Sequence, residues 1–305
     1  MIDLDLFLGS RPLKSVLCIV AETSGSCPGR VGFKMIVPPE GACKGSVGGG
    51  SMEFQVITKA RQMLLSCEEK PCMVSFDHSA TAEPQEKSGM ICSGRQKIVL
   101  VPSSLFKYEL EGKQGFQVDN SGLNLLDTPP DYPGLSADGN SWQYTEEIAP
   151  PPTVYIFGGG HCGLALTSIL NTLDLRVVII DDREHVWTME ENEAAWKKIV
   201  RDYADVSSLV PDSGDALVVI MTASHAGDSV VLRQMLPEKK NLKYLGMMAS
   251  KVTSKHVLGE MRSLGFSQED LSTVHTPIGI PISSQTPAEI AVSIAAEIIM
   301  VLNKR

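Results

Sequence analysis

The chain has 305 residues, 43% of them hydrophobic and 21% charged, with a formal net charge of −9. That length accommodates two domains with separate cores, and the composition excludes a disordered or fibrous chain. The acidic balance argues against a nucleic-acid binder, which needs clustered Lys and Arg; no apolar run is membrane-spanning, and the acidic start MIDLDLF lacks a signal peptide's basic region, so a cytoplasmic location is expected.

From Val16 to Val101 the sequence alternates short extended runs (VLCIVAE, GFKMIVP, CMVSF, KIVLVP) with one helix near Ser51, which predicts an α+β domain. Met52, Val56, Ala60, Met63 and Leu64 make an apolar stripe on that helix, while Lys59, Arg61 and Gln62 lie off it. The turn-rich segments VDNSGL and SADGNSW predict hairpins between Gln114 and Tyr144. Pro150, Pro151 and Pro152 then form a stiff connector, dividing an N-terminal domain (1–149) from a C-terminal domain (150–305).

Beyond the prolines the pattern becomes regular. TVYIF, LRVVII, DALVVIMT and KYLGMM read as strands, HCGLALTSIL and DSVVLRQML as helices, and Trp187 to Lys198 as an amphipathic segment. Strands alternating with helices predict a parallel Rossmann-type sheet, giving an α/β fold class overall. A capping box, Thr286-Pro287-Ala288-Glu289, opens the last helix, IAVSIAAEIIMVL.

Seven cysteines, with no Cys-x-x-Cys pair, do not form a disulfide framework; six of them (Cys18, Cys27, Cys43, Cys67, Cys72 and Cys92) fall in the first third. Zinc-ligand spacings, a Walker lysine and a G-x-S-x-G elbow are absent, which removes support for the common hydrolase and NTPase classes.

The sharpest motif is VYIFGGGHCGLAL, in which Gly158, Gly160 and Gly163 satisfy G-x-G-x-x-G between a strand and a helix. Glycine at 158 permits a tight turn, at 160 backbone approach to a pyrophosphate, and at 163 close helix packing, while the helix N-terminus offers N–H groups to the anion. Asp181 ends the next strand about 20 residues on, where an acid accepts hydrogen bonds from a ribose. A phosphate-bearing ligand such as NAD(P) or another nucleotide is expected, with His161 as a candidate contact; an empty scaffold is the competing reading.

A second glycine loop, GSVGGGSMEF, brings Gly48, Gly49 and Gly50 to a helix start, with Glu53 either stabilised by the helix dipole or contacting a ligand. Cys92, near Arg95, reads as a soft thiolate ligand or as a packed residue. His225 and His275 are expected on loops at the carboxyl edge of the sheet, as polar contacts or structural histidines.

Taken in order, SGSCPGRVGFKMIV, GSVGGGSMEF, MICSGR, VYIFGGGHCG, DDRE, LGMMASK, HTPIG and QTPAEIAVSIAAEI resemble the XdhC/CoxI family of xanthine dehydrogenase accessory factors. The resemblance covers residues 15–102 and 153–300. It implies a cofactor chaperone more than a turnover enzyme. Such a protein binds molybdenum cofactor (molybdopterin), assists its sulfuration and delivers it to a hydroxylase such as xanthine dehydrogenase, with a cysteine desulfurase as further partner and a homodimer as its state. By position it marks Gly48, Gly49, Gly50 and Glu53 as the N-terminal loop, Cys92 as the thiol of the family's cysteine-glycine segment, and Gly158 to His161 as the Rossmann loop; in a chaperone of this kind a soft thiolate faces molybdenum, and Cys92 is the candidate for it. Ser93 stands where the family has glycine, Ala249 replaces glycine in LGMMASK, and Pro281 and Ser283 alter the run after HTPIG. These departures leave open whether the C-terminal crevice holds a different nucleotide or acts as scaffold. An NAD(P)-dependent oxidoreductase, in which Arg183 permits a 2′-phosphate contact, and a nonenzymatic nucleotide-sensing module are the alternatives.

Overall fold

Alternating side chains along Val16–Ser24 (β1) supply apolar groups to both faces of an antiparallel sheet, and two cores form around it. The computed structural model describes residues 14–78, 94–106, 112–131, 133–139, 141–149, 151–236 and 240–304. The chain divides into two compact units, Met1–Pro150 and Pro151–Arg305.

In the first unit, β1 is joined by Lys34–Val37 (β2), Lys44–Gly45 (β3), Cys72–Asp77 (β4) and Arg95–Pro102 (β5) in the order β3-β2-β1-β5-β4. The helix Gly50–Leu65 (α1) lays Met52, Val56, Ala60 and Met63 on the face carrying Val16, Cys18 and Val20. Leu17, Ile19, Val99 and Val101 on the opposite face meet Phe116, Val118, Trp142 and Tyr144 of a second antiparallel sheet. That sheet comprises Gly115–Asp119 (β6), Leu123–Leu126 (β7), Gly134–Asp138 (β8) and Ser141–Glu147 (β9), ordered β7-β6-β9-β8, so the hairpin-rich stretch is a four-stranded layer. An ion pair between buried Lys34 of β2 and partly exposed Glu146 of β9 ties the two sheets together.

The second unit is a parallel sheet of Thr153–Phe157 (β10), Arg176–Asp181 (β11), Lys197–Val200 (β12), Leu217–Ile220 (β13) and Tyr244–Met247 (β14), ordered β12-β11-β10-β13-β14. The order reverses between β10 and β13, the switch point of a Rossmann sheet. His161–Thr172 (α2) and Pro287–Leu302 (α7) cover one face; His225–Met235 (α4) and Lys251–Ser263 (α5) cover the other. Two short helices, Trp187–Glu190 (α3) and Gln268–Ser272 (α6), complete the unit. The capping box of α7 forms as read, with Glu289 N donating to Thr286 Oγ1 at 3.3 Å and Thr286 N to the Glu289 carboxylate at 3.1 Å.

The amphipathic segment expected from Trp187 to Lys198 is a correction: α3 has a single turn, and Lys197 already begins β12. Met189 and Asn192 are buried while Trp187 and Trp196 are exposed, an arrangement imposed by contacts with the glycine loop and β11 rather than by one helical face. His225 is not in a loop but opens α4, whose N-cap Ser224 accepts from Gly227 N at 3.1 Å. His275 extends the sheet, forming a parallel bridge with Gly246 of β14.

Candidate functional site

The glycine loop lies at the carboxyl end of β10, at the switch point, and its three motif glycines are glycine for different reasons. Gly158 has φ 124°, and a Cβ there would overlap the Met221 carbonyl of the neighbouring segment. A Cβ on Gly163 would overlap the Gly158 carbonyl, so the helix packs tightly under the loop. Gly160 differs: its φ of −72° suits any residue, and a Cβ would meet nothing within 4 Å. The fold therefore does not require glycine at 160, and the space above it is what backbone approach by a phosphate needs. No side chain caps α2 and its first turn carries no acid, so no carboxylate of its own occupies that helix end.

Asp181, expected to face a ribose, is turned inward and fully buried. Its carboxylate accepts from Gly159 N at 2.7 Å, and from Arg183 N, Nε and Nη2 at 3.1, 2.8 and 2.9 Å. Burial alone would raise its pKa, but the Arg183 guanidinium and the Gly159 and Arg183 amides outweigh it and hold the carboxyl below the ordinary carboxylate value. The acid thus fixes the loop from beneath, while Arg183, which sequence reading associated with a 2′-phosphate, uses two of its nitrogens to cover it.

His161 is the first residue of α2 and is exposed; its ring meets Trp187 edge-to-face at 5.4 Å. The α3 turn carrying Trp187 is fastened to the same loop. Thr188 Oγ1 donates to Gly159 O at 2.5 Å, and a Cβ on Gly159 would come within 2.9 Å of Met189 Cβ. Across the switch point, buried Asp228 accepts from Thr222 N at 3.0 Å and Thr222 Oγ1 at 2.8 Å, closing the β13–α4 turn; burial raises its pKa. Gly158, Gly160, His161, Gly163 and Asp181 are thereby gathered in one place, joined by Trp187, to which no motif drew attention.

The N-terminal loop is arranged otherwise. Glu53 Oε2 accepts from Ser46 Oγ at 2.6 Å and from Val47 N and Gly49 N, both at 3.0 Å, while Gly48 N donates to Ser46 Oγ at 3.0 Å. Gly48 (φ 132°), Gly49 (φ 78°) and Gly50 (φ 67°) all occupy the left-handed region that folds the loop back over the start of α1. Glu53 is the anion that the Val47 and Gly49 amides hold.

Cys92 lies outside the described residues. Among the described residues no cluster of three or more His, Cys, Asp or Glu side chains could hold a metal ion. Burial raises the Cys18, Cys43, Cys72 and Cys162 thiols above their ordinary value, so none is an activated thiolate. His275 sits in a polar knot that spacing could not reveal. Glu297 of α7 accepts from Tyr244 Oη at 2.6 Å and Gly279 N at 2.8 Å, and faces His275 Nδ1 at 3.0 Å. A cavity of about 360 Å³, to which the glycine loop contributes no lining residue, lies between α4 and α5, lined by His225, Arg233, His256 and Glu260 over Val230 and Met261.

The strand order and the glycine loop together define the second unit as a Rossmann domain, and the first unit is of the α+β class. Residues 154–298 match the XdhC Rossmann domain, and residues 11–77 match the XdhC and CoxI family. The chain belongs to the XdhC and CoxI family. It is 22% identical over 285 residues to the uncharacterized protein YqeB of Escherichia coli (strain K12), covering 93% of this chain and 43% of YqeB. It is 24% identical over 162 residues to a probable xanthine dehydrogenase subunit of Bacillus subtilis (strain 168), covering 53% of this chain and 46% of that protein. The chain thus spans less than half the length of these curated relatives. A crystal structure of a xanthine dehydrogenase from Bacillus halodurans shares the fold, with a TM-score of 0.77 at 24% identity over 100% of this chain and 97% of that one. Among the described residues no helix is long and apolar enough to cross a membrane.

Proposed function

We propose that this protein is an accessory factor of a xanthine dehydrogenase-type molybdenum hydroxylase, which binds molybdenum cofactor as cargo, assists its sulfuration and delivers it to the client. A cysteine desulfurase as sulfur donor and a homodimeric state belong to the same reading. The observation that carries it is the open loop at Gly160. Molybdopterin bears a phosphate, and an uncapped helix start with free space above a glycine suits a phosphate ester. The loop at Gly48–Gly50 fits less well, because Glu53 already holds the Val47 and Gly49 amides. Seating there would require displacing that carboxylate.

A carrier must release what it holds, which favours a single soft ligand plus phosphate-binding amides over a closed cage of protein ligands. Cys92 is the thiolate of this reading. Inward-turned Asp181 gives a ribose no open carboxylate, which lends the oxidoreductase alternative no support. The test is reconstitution of the full chain with molybdenum cofactor, measuring molybdenum retained per chain and activation of an apo-hydroxylase. Cys92→Ser should lower both, while Cys67→Ser, at an exposed position, should lower neither. If wild-type protein retains no molybdenum and does not activate the client, the reading is wrong; full activity of Cys92→Ser removes the thiolate role.

A further inference from the structure

We propose that Trp187 is a stacking platform for the planar ring of a phosphate-bearing heterocycle, a purine nucleotide or a pterin phosphate, whose phosphate sits on the loop from Gly158 to Gly163. The inference rests on the reading that this loop takes the phosphate of a ligand, and it adds the residue that recognises the ring.

Trp187 is 55% exposed, an unusual state for the side chain with the most apolar surface to bury. Its position is nevertheless fixed. The Thr188 hydroxyl bond to Gly159 O, the Met189 contact with Gly159 and the His161 ring anchor α3 to the phosphate loop itself. His161 is also the chain neighbour of Gly160, so the indole lies one residue from the open position. An edge-to-face pair uses one face of one ring and an edge of the other, which leaves further ring face for a ligand.

The other exposed indole of this unit has an internal explanation. Trp196, 61% exposed, lies under the Arg176 guanidinium at 5.1 Å, a cation–π contact; among the described residues Trp187 makes no such cation–π contact, and its ring partner is His161. Charge orients the ligand as well. Asp182 and Glu184 are exposed beside α3 and disfavour a phosphate at the indole, whereas the first turn of α2 has no acid and the carboxylate bonded to the loop, Asp181, is buried beneath it and paired with Arg183. The arrangement therefore puts the phosphate on the loop and the ring on Trp187. Stacking on an aromatic face tolerates any planar heterocycle, so purine and pterin share this chemistry.

The test is calorimetric titration of the full chain with inorganic pyrophosphate, ADP and a pterin phosphate monoester, using wild type, Trp187→Ala, Trp187→Phe and Gly160→Val. Trp187→Ala should weaken ADP or the pterin phosphate by at least about fivefold and leave pyrophosphate unchanged, with Trp187→Phe restoring most of the affinity. Gly160→Val should abolish binding of all three. The tighter of the two ring-bearing probes identifies the ligand class. Equal affinity of Trp187→Ala and wild type for the ring-bearing probes overturns the platform while leaving the loop reading intact. Failure of wild type to bind any of the three overturns the loop reading, and the platform with it.

Discussion

Replacing Asp181 tests whether the Rossmann acid of this chain is a structural keystone rather than an exposed ligand contact. In Asp181→Ala the buried Gly159 amide loses its acceptor, at about 1–3 kcal/mol, and the Arg183 guanidinium loses a buried partner. Arg183 is about half exposed and regains water, so the total falls somewhat below the about 3–5 kcal/mol of breaking a fully buried pair, at about 2–4 kcal/mol. With urea slopes of about 1–3 kcal/mol/M, the midpoint should move by roughly 1–2 M, followed through the exposed Trp187 and Trp196 of this unit. The carboxyl is held below its ordinary pKa, so its contribution is complete above the unfolded value of about 3.9 and is lost as pH falls through the folded one. The mutational penalty should accordingly be full at pH 7 and shrink below about pH 3.9. A shift under about 0.5 kcal/mol at pH 7 would refute the reasoning. The same geometry means that lost ligand binding in Asp181→Ala reports a slackened loop as readily as a missing ribose contact.

Gly160→Val should keep wild-type stability to within about 1 kcal/mol yet lose pyrophosphate binding, whereas Gly158→Ala should lower the thermal midpoint markedly, because its φ and the Met221 carbonyl both reject a side chain. Glu53→Ala should cost about 1–3 kcal/mol by stranding the Val47 and Gly49 amides. Millimolar phosphate should restore more stability to that variant than it adds to wild type, and equal stabilisation of both would contradict the loop geometry. Glu297→Ala strips acceptors from Tyr244, Gly279 and His275 and should destabilise the second unit by about 2–4 kcal/mol in chemical denaturation; retention of wild-type stability would rule out the knot.

What could be read from the sequence followed how local the determining physics was. The strands at Val16 and Thr153, the α1 stripe and the Thr286 capping box are set by neighbours a few residues apart, and each was legible. Strand β12 was not. It has four residues, of which Ile199 alone is partly buried, so it carries no alternation to detect. Helix α5 was missed for a related reason: it buries Ser254, Val257 and Met261 and shows only a thin apolar stripe. The glycine loop was legible because backbone approach and tight packing both demand small residues. The inward turn of Asp181 was not, since a strand-end acid followed two residues later by arginine has the same spelling whether it faces a ribose or its own loop. The joining of Tyr244, His275 and Glu297 depends on packing across the sheet, which no short window contains.

The two edges of the parallel sheet are both guarded. Beyond β14, His275 N donates to Leu245 O at 2.9 Å, Met247 N to His275 O at 3.0 Å and Ile278 N to Met247 O at 3.1 Å, so this edge presents an irregular segment instead of a free ladder. At the opposite edge β12 is short and carries exposed Lys197 and Lys198. Open edges recruit strands from other molecules, and short length, lysine and covering segments are what prevent it. The sheet that supports the glycine loop is thereby protected, on both sides, from self-templated aggregation through its edges.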